Sequence, residues 1–219
     1  KLIYAYKAWG NKETVEKEGL KELTRLYVKF HDEAESHPEM EDEARAYFKK
    51  IEDGDSEALS LFEWFKSLTL AETEKIYDLL SVKFDSYAGE SFYNDKMQPV
   101  IDELKAHNLL TESEGAMVVD LSEYDMPPCI ILRSDGASLY ATRDLAAAFY
   151  RKNVYDFDKC LYVVAYQQNL HFKQIFKVLE LLGKPWHKDM VHVAYGMVSL
   201  EDGSMSTRKG KVVWLEDVI

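Results

Sequence analysis

The chain has 219 residues, 47% hydrophobic and 13% aromatic, which is enough apolar material for one large core or two smaller ones. No apolar run approaches the ~20 residues of a membrane span, and no charged-then-apolar leader stands at the start. The net charge of −12 is unevenly spread: residues 1–120 carry 15 basic and 27 acidic side chains, whereas the remainder is balanced, so the first part is a poor broad face for a phosphate backbone.

Residues 13–80 read as helices. Leu20, Leu23, Tyr27, Val28 and Phe30 recur near helical spacing between charged residues. A second helix is expected from Glu41 to Ile51, ending at Asp53-Gly54-Asp55, and a third from Ser56 through Phe65. A fourth is expected from about Ala71 to Leu80, behind Thr69 as a capping residue. These aromatic stripes are read as a helical core, and the acidic stretch Glu33 to Glu43 as a solvated face.

Beyond residue 81 the pattern changes. Val82 to Tyr87 alternates with period two and predicts a strand. Asp95 to His107 predicts an amphipathic helix, and the apolar runs Ala116–Leu121 and Cys129–Leu132 are expected to pair as a β-ribbon. From Cys129 onward, strand and helix alternate. Tyr140–Tyr150 and Leu170–Leu182 are helical, the latter stopped by Gly183 and Pro185, while Lys159–Ala165 and Met190–Val198 are apolar strands. A β-α-β-α-β run implies a parallel sheet, with chemistry expected just past the carboxyl ends of its strands. Cys129 and Cys160 lie in apolar runs and read as buried thiols of a reducing, cytoplasmic compartment. No paired Cys/His spacing suggests a protein-bound metal.

Three constellations occupy the expected places. In Tyr140-Ala-Thr-Arg-Asp144, residues 140 and 144 share a helix face, and a carboxylate beside a phenol suits a planar guanidinium. Pairing of Asp144 with Arg143, or a helix-end cap, is the simpler alternative. Gln167-Gln168-Asn169-Leu170-His171 follows a strand and offers two amides and an imidazole to a ribose, a base edge or an amino-acid head group; a polar turn capped by Asn169 is the plainer account. Gly203-Ser-Met-Ser-Thr-Arg-Lys-Gly-Lys211 places three cations among small and hydroxyl residues, suited to oligophosphate but also to an ordinary basic turn, and without P-loop spacing.

In this order, the segments Phe84–Tyr93, Tyr140–Ala146, Gln168–Phe172 and Gly203–Gly210 resemble the catalytic domain of the arginyl-tRNA synthetases, a class I aminoacyl-tRNA synthetase family. Ala8-Trp9-Gly10 through His31 resembles it too, so the likeness spans nearly the whole chain. The Tyr-x-Thr-Arg-Asp motif with a downstream Gln-x-x-His-Phe is the more specific part, and the basic loop is shared across the class.

The resemblance implies an α/β fold. Residues 1–128 would be a helical and mixed α/β inserted segment, and residues 129–219 the second half of a Rossmann-like parallel sheet. It implies ATP-dependent formation of arginyl-adenylate and transfer of arginine to tRNA, with Mg²⁺ carried by ATP. Tyr140, Asp144 and Gln168 would hold L-arginine. His171, with Gly196, Met197 and Val198, would hold adenosine, and Ser206, Thr207, Arg208 and Lys209 would close over the phosphates. The sequence departs from the class in two ways. Ser204 and Thr207 replace the two lysines of the usual Lys-Met-Ser-Lys-Ser loop. No His-Ile-Gly-His motif occurs, and no helical anticodon-binding domain follows, so the chain reads as an internal piece, inactive alone. A non-catalytic synthetase-like interaction module and another class I adenylate-forming enzyme remain the alternatives.

Overall fold

The computed structural model describes residues 1–133, 140–197, 199–200, 203–205, 213, 215 and 219. Packing divides the chain into two compact units, residues 1–85 with 198–219, and residues 86–197. The boundary expected from the sequence lies elsewhere, between an inserted segment, 1–128, and the second half of the sheet, 129–219.

The first unit is helical over α1 (Leu2–Trp9), α2 (Lys12–Glu18), α3 (Leu20–Ala34), α4 (Glu39–Glu52) and α5 (Ser56–Leu79). The apolar stripe of α3 buries Leu23, Leu26 and Phe30. They join Ile3, Ala5, Val15, Met40, Ala44, Ala58 and Phe65 in one core. Tyr6 sets its ring edge-on to Trp64 and Phe65, each 5.4 Å away. Gly54 turns the chain at φ 82° after α4, and the Asp55 carboxylate then accepts from the Ala58 N–H to cap α5.

Two expectations fail here. The third and fourth predicted helices are one helix, because the Thr69 hydroxyl donates back to the Phe65 carbonyl and continues the helix instead of capping a new one. Val82 to Tyr87 forms no strand. Ser81 takes a left-handed conformation at φ 57°, and the Val82 N–H closes α5 on the Tyr77 carbonyl at 2.8 Å. Phe84 folds back onto the Tyr77 ring, so the period-two pattern reflects a helix end and not a ladder. Near the end of the chain, β6 (Ser199–Leu200) and β7 (Gly203–Ser204) form a short antiparallel hairpin.

The second unit begins with a 3₁₀ segment, Glu90–Lys96, followed by α6 (Gln98–Ala106). Then β1 (Leu110–Ser113), β2 (Ala116–Val119) and β3 (Cys129–Leu132) make an antiparallel sheet in the order β1-β2-β3. The expected ribbon is therefore present, with an additional strand and a bulge between Met117 and Val118. Next come α7 (Tyr140–Tyr155), β4 (Cys160–Ala165), a 3₁₀ turn at Tyr166–Gln168, α8 (Asn169–Leu181), a 3₁₀ turn at Pro185–Asp189 and β5 (Met190–Tyr195). Gly183, at φ 69°, ends α8 as expected, and the Lys184 N–H reaches the Leu179 carbonyl.

β4 and β5 pair in parallel, in register from Cys160↔Met190 to Ala165↔Tyr195. β3 is hydrogen-bonded to β2, so the expected three-stranded parallel run is an antiparallel trio plus a parallel pair. Period and apolarity predicted each strand but carry no information about its hydrogen-bonding neighbour. One face of the parallel pair packs on helices: Tyr162 meets Phe172 and Phe176 of α8, and His192 stacks on Phe172 with 4.5 Å between rings. Arg151 of α7 lies over the Tyr162 ring. On the opposite face, among the described residues, Leu161 is 57% and Val163 65% exposed, beside Val191 and Val193, which are also exposed.

Candidate functional site

The alanine-rich side of α7 lets the helix sit close to its neighbours. Ala141, Thr142, Leu145, Ala146, Ala147 and Ala148 are buried in the core of the second unit. The fully buried Thr142 hydroxyl donates to the Ile131 carbonyl and ties the first turn of α7 to β3. That anchor turns Asp144 and Tyr140 outward. Tyr140 is 66% exposed and lies one helical turn before Asp144.

Asp144 meets His171 of α8. His171 Nε2 lies 2.6 Å from Asp144 Oδ2, with side-chain exposures of 21% and 34% respectively. Arg143, the alternative partner suggested by the sequence, extends to Asn94 Oδ1 at 3.1 Å and to Glu90 at 3.8 Å. Gln168 is exposed in the 3₁₀ turn after β4. It occupies the cap position of α8 without a side-chain cap bond, so the polar run there does not serve as a cap.

Gly196 and Met197 follow β5 and are exposed. Because Ala165 is in register with Tyr195, the polar turn after β4 and the residues after β5 leave the sheet at the same edge. Tyr140, Asp144, Gln168 and His171 are thus carried on the first two turns of α7, the first turn of α8 and the turn between β4 and α8. Val198, Ser206, Thr207, Arg208 and Lys209 lie outside the described residues.

Three features were not read from the sequence: the Asp144–His171 contact, the Thr142 anchor, and the Asn94–Arg143 bond linking α7 to the 3₁₀ segment 90–96. The last two join residues 11 and 49 positions apart, and no local pattern signals such pairs. The Cys129 thiol is pushed up to about 12 by burial, which makes it a packing residue and not a nucleophile. Among the described residues, no group of three or more His, Cys, Asp or Glu side chains is arranged to hold a metal ion, and no helix is long and apolar enough to cross a membrane.

Parallel strands with polar residues gathered past their carboxyl ends define an α/β protein whose ligands are expected at that edge. The family described as tRNA synthetases class I (R), catalytic domain, matches residues 1–219. Arginine–tRNA ligases of Clostridioides difficile and Clostridium perfringens are 62% and 63% identical to the chain over its whole length. The chain spans 39% of the length of each. Among solved structures, arginyl-tRNA synthetase from Plasmodium falciparum superposes with a TM-score of 0.71 at 25% identity, covering 91% of this chain and 34% of that one. The Thermus thermophilus arginyl-tRNA synthetase gives 0.71 at 20% identity, covering 96% and 41%, a likeness of fold. The chain belongs to the class I arginyl-tRNA synthetase catalytic-domain family.

Proposed function

We propose that this chain supplies the arginine-recognising and phosphate-closing half of an arginine–tRNA ligase active site. The observation that carries the reading is Asp144, an outward-facing carboxylate one turn into α7, opposite His171. Its open oxygen suits a guanidinium, which donates in a planar fork. Tyr140 and Gln168 complete the arginine site, since one shares its helix face and the other stands in the turn preceding His171. His171, Gly196, Met197 and Val198 hold adenosine, the middle two exposed at the end of β5. Ser206, Thr207, Arg208 and Lys209 close over the phosphates.

In this reading the carboxylate of arginine attacks the α-phosphate of ATP. A carboxylate–phosphorus bond forms, the bond to the leaving oxygen breaks, and pyrophosphate departs, with Mg²⁺ accompanying the nucleotide. A hydroxyl of the terminal ribose of tRNA then forms an ester bond to the arginyl carbonyl carbon, the bond from that carbon to the adenylate phosphate oxygen breaks, and AMP departs. No side chain becomes covalently attached, so the residues act by positioning and by stabilising phosphate charge. The exposed face of β4 and β5 supports residues 129–219 as one half of a larger doubly wound sheet, because parallel sheets are covered on both faces. Residues 1–128 are then an insertion between catalytic halves, and the compartment is the cytoplasm.

In the full-length protein, Asp144→Ala is expected to abolish arginine-dependent, tRNA-stimulated pyrophosphate exchange. Exchange at the wild-type rate would overturn the assignment of the pocket.

A further inference from the structure

The contact between Asp144 and His171 joins two residues that the functional reading assigns to different substrates. A carboxylate can only accept, so the proton in this 2.6 Å contact sits on His171 Nε2, which donates to Oδ2. Among the described residues Asp144 makes no other hydrogen bond, so Oδ1 remains for a ligand. His171 is itself held. Its ring stands edge-on to Phe172 at 5.2 Å, and Phe172 is buried against the paired Tyr162 and His192 of the sheet. Phe172 thereby anchors α8 to the sheet beside the donor, whereas Asp144 is a short side chain with a third of its surface exposed. A carboxylate pinned at one oxygen offers the other in a single orientation, and the ordering cost is met before the ligand arrives.

We infer that His171 is a positioning residue for arginine recognition, orienting the Asp144 carboxylate through Nε2 in addition to any contact it makes with ATP. The inference rests on Asp144 as the guanidinium acceptor. The Asp144 contact uses Nε2, so Nδ1 is the ring nitrogen left to face the nucleotide, and one imidazole can serve both halves of the site.

The test is steady-state pyrophosphate exchange by the full-length protein with tRNA present, varying arginine and ATP separately. His171→Ala is expected to raise the arginine KM roughly 10-fold, the scale of one lost hydrogen bond to a charged group. His171→Gln, whose amide nitrogen can replace Nε2 as donor, is expected to restore most of that loss. KM is read from the folded, active molecules, so partial misfolding of the alanine variant lowers apparent kcat without mimicking the result. An arginine KM within twofold of wild type in His171→Ala, with or without a rise in the ATP KM, overturns the inference. Equal arginine KM defects in the alanine and glutamine variants also overturn it, because the ring and not the hydrogen bond would then matter. Asp144→Ala separates the two levels. If it impairs arginine use while His171→Ala does not, only the positioning role fails; if it leaves the arginine KM unchanged, the pocket assignment fails as well.

Discussion

Asp144→Asn removes one charge with almost no change in shape, and so isolates the electrostatic part of arginine recognition. Loss of a desolvated charge-assisted pair costs about 2–5 kcal/mol. Asp144 is not fully desolvated: its side chain is 34% exposed, so solvent screening places the effect in the lower part of that range, ~2–3 kcal/mol. At ~1.4 kcal/mol per factor of ten, kcat/KM for arginine should fall roughly 30- to 150-fold. L-Citrulline, which carries a neutral urea in place of the guanidinium, gains nothing from the charge, so its inhibition constant should stay within a few-fold of wild type. Arginine-dependent, tRNA-stimulated pyrophosphate exchange in the full-length protein, with citrulline as competitor, measures both. A fall of less than about threefold for arginine, or equal losses for arginine and citrulline, would refute the charge argument.

Two further predictions concern packing, one in each unit. In α3 the carboxylate of Glu22 is only 3% exposed and accepts two 2.6 Å bonds from Arg25, which hold it below the usual carboxylate range. A lowered folded value stabilises above the ordinary glutamate range and loses that contribution as pH falls through the folded value. Arg25→Ala should therefore cost about 1–3 kcal/mol at pH 7, and thermal melts of variant and wild type should converge as the pH falls through and below the ordinary glutamate range; a melting difference independent of pH would contradict this. Burial of Cys129, with its thiol pushed up to about 12, predicts no alkylation by iodoacetamide in the native protein at pH 8 and full reaction once unfolded. Mass spectrometry of the labelled peptides reads the outcome directly, and rapid native labelling at Cys129 would show the core to be open.

Local order was legible where a single element carried its own signal. The helical stripes of α3 and α4, the Gly54 turn, the Gly183 stop and the apolar runs of β3, β4 and β5 stand where the side-chain periods and the glycines put them. The two local failures share one cause. Val82 to Tyr87 has the alternation of a strand, but its backbone is used to end α5, and Thr69 has the chemistry of a cap but bonds backward within a continuous helix. In both cases a competing hydrogen bond one turn away decided the outcome.

The sequence by itself determined the kinds of side chain in the site, their order, and the faces of the helices that carry them: Tyr140 and Asp144 one turn apart, and Gln168 three residues before His171. Only the tertiary structure decided which of these residues meet. It sent β3 to β2 instead of to the parallel pair, anchored α7 through Thr142, and placed the donor of His171 against the acceptor of Asp144. The physical reason is range. Periodicity and capping act over three or four residues, whereas the contact between residues 144 and 171 spans 27 positions and exists only once α7 and α8 have packed.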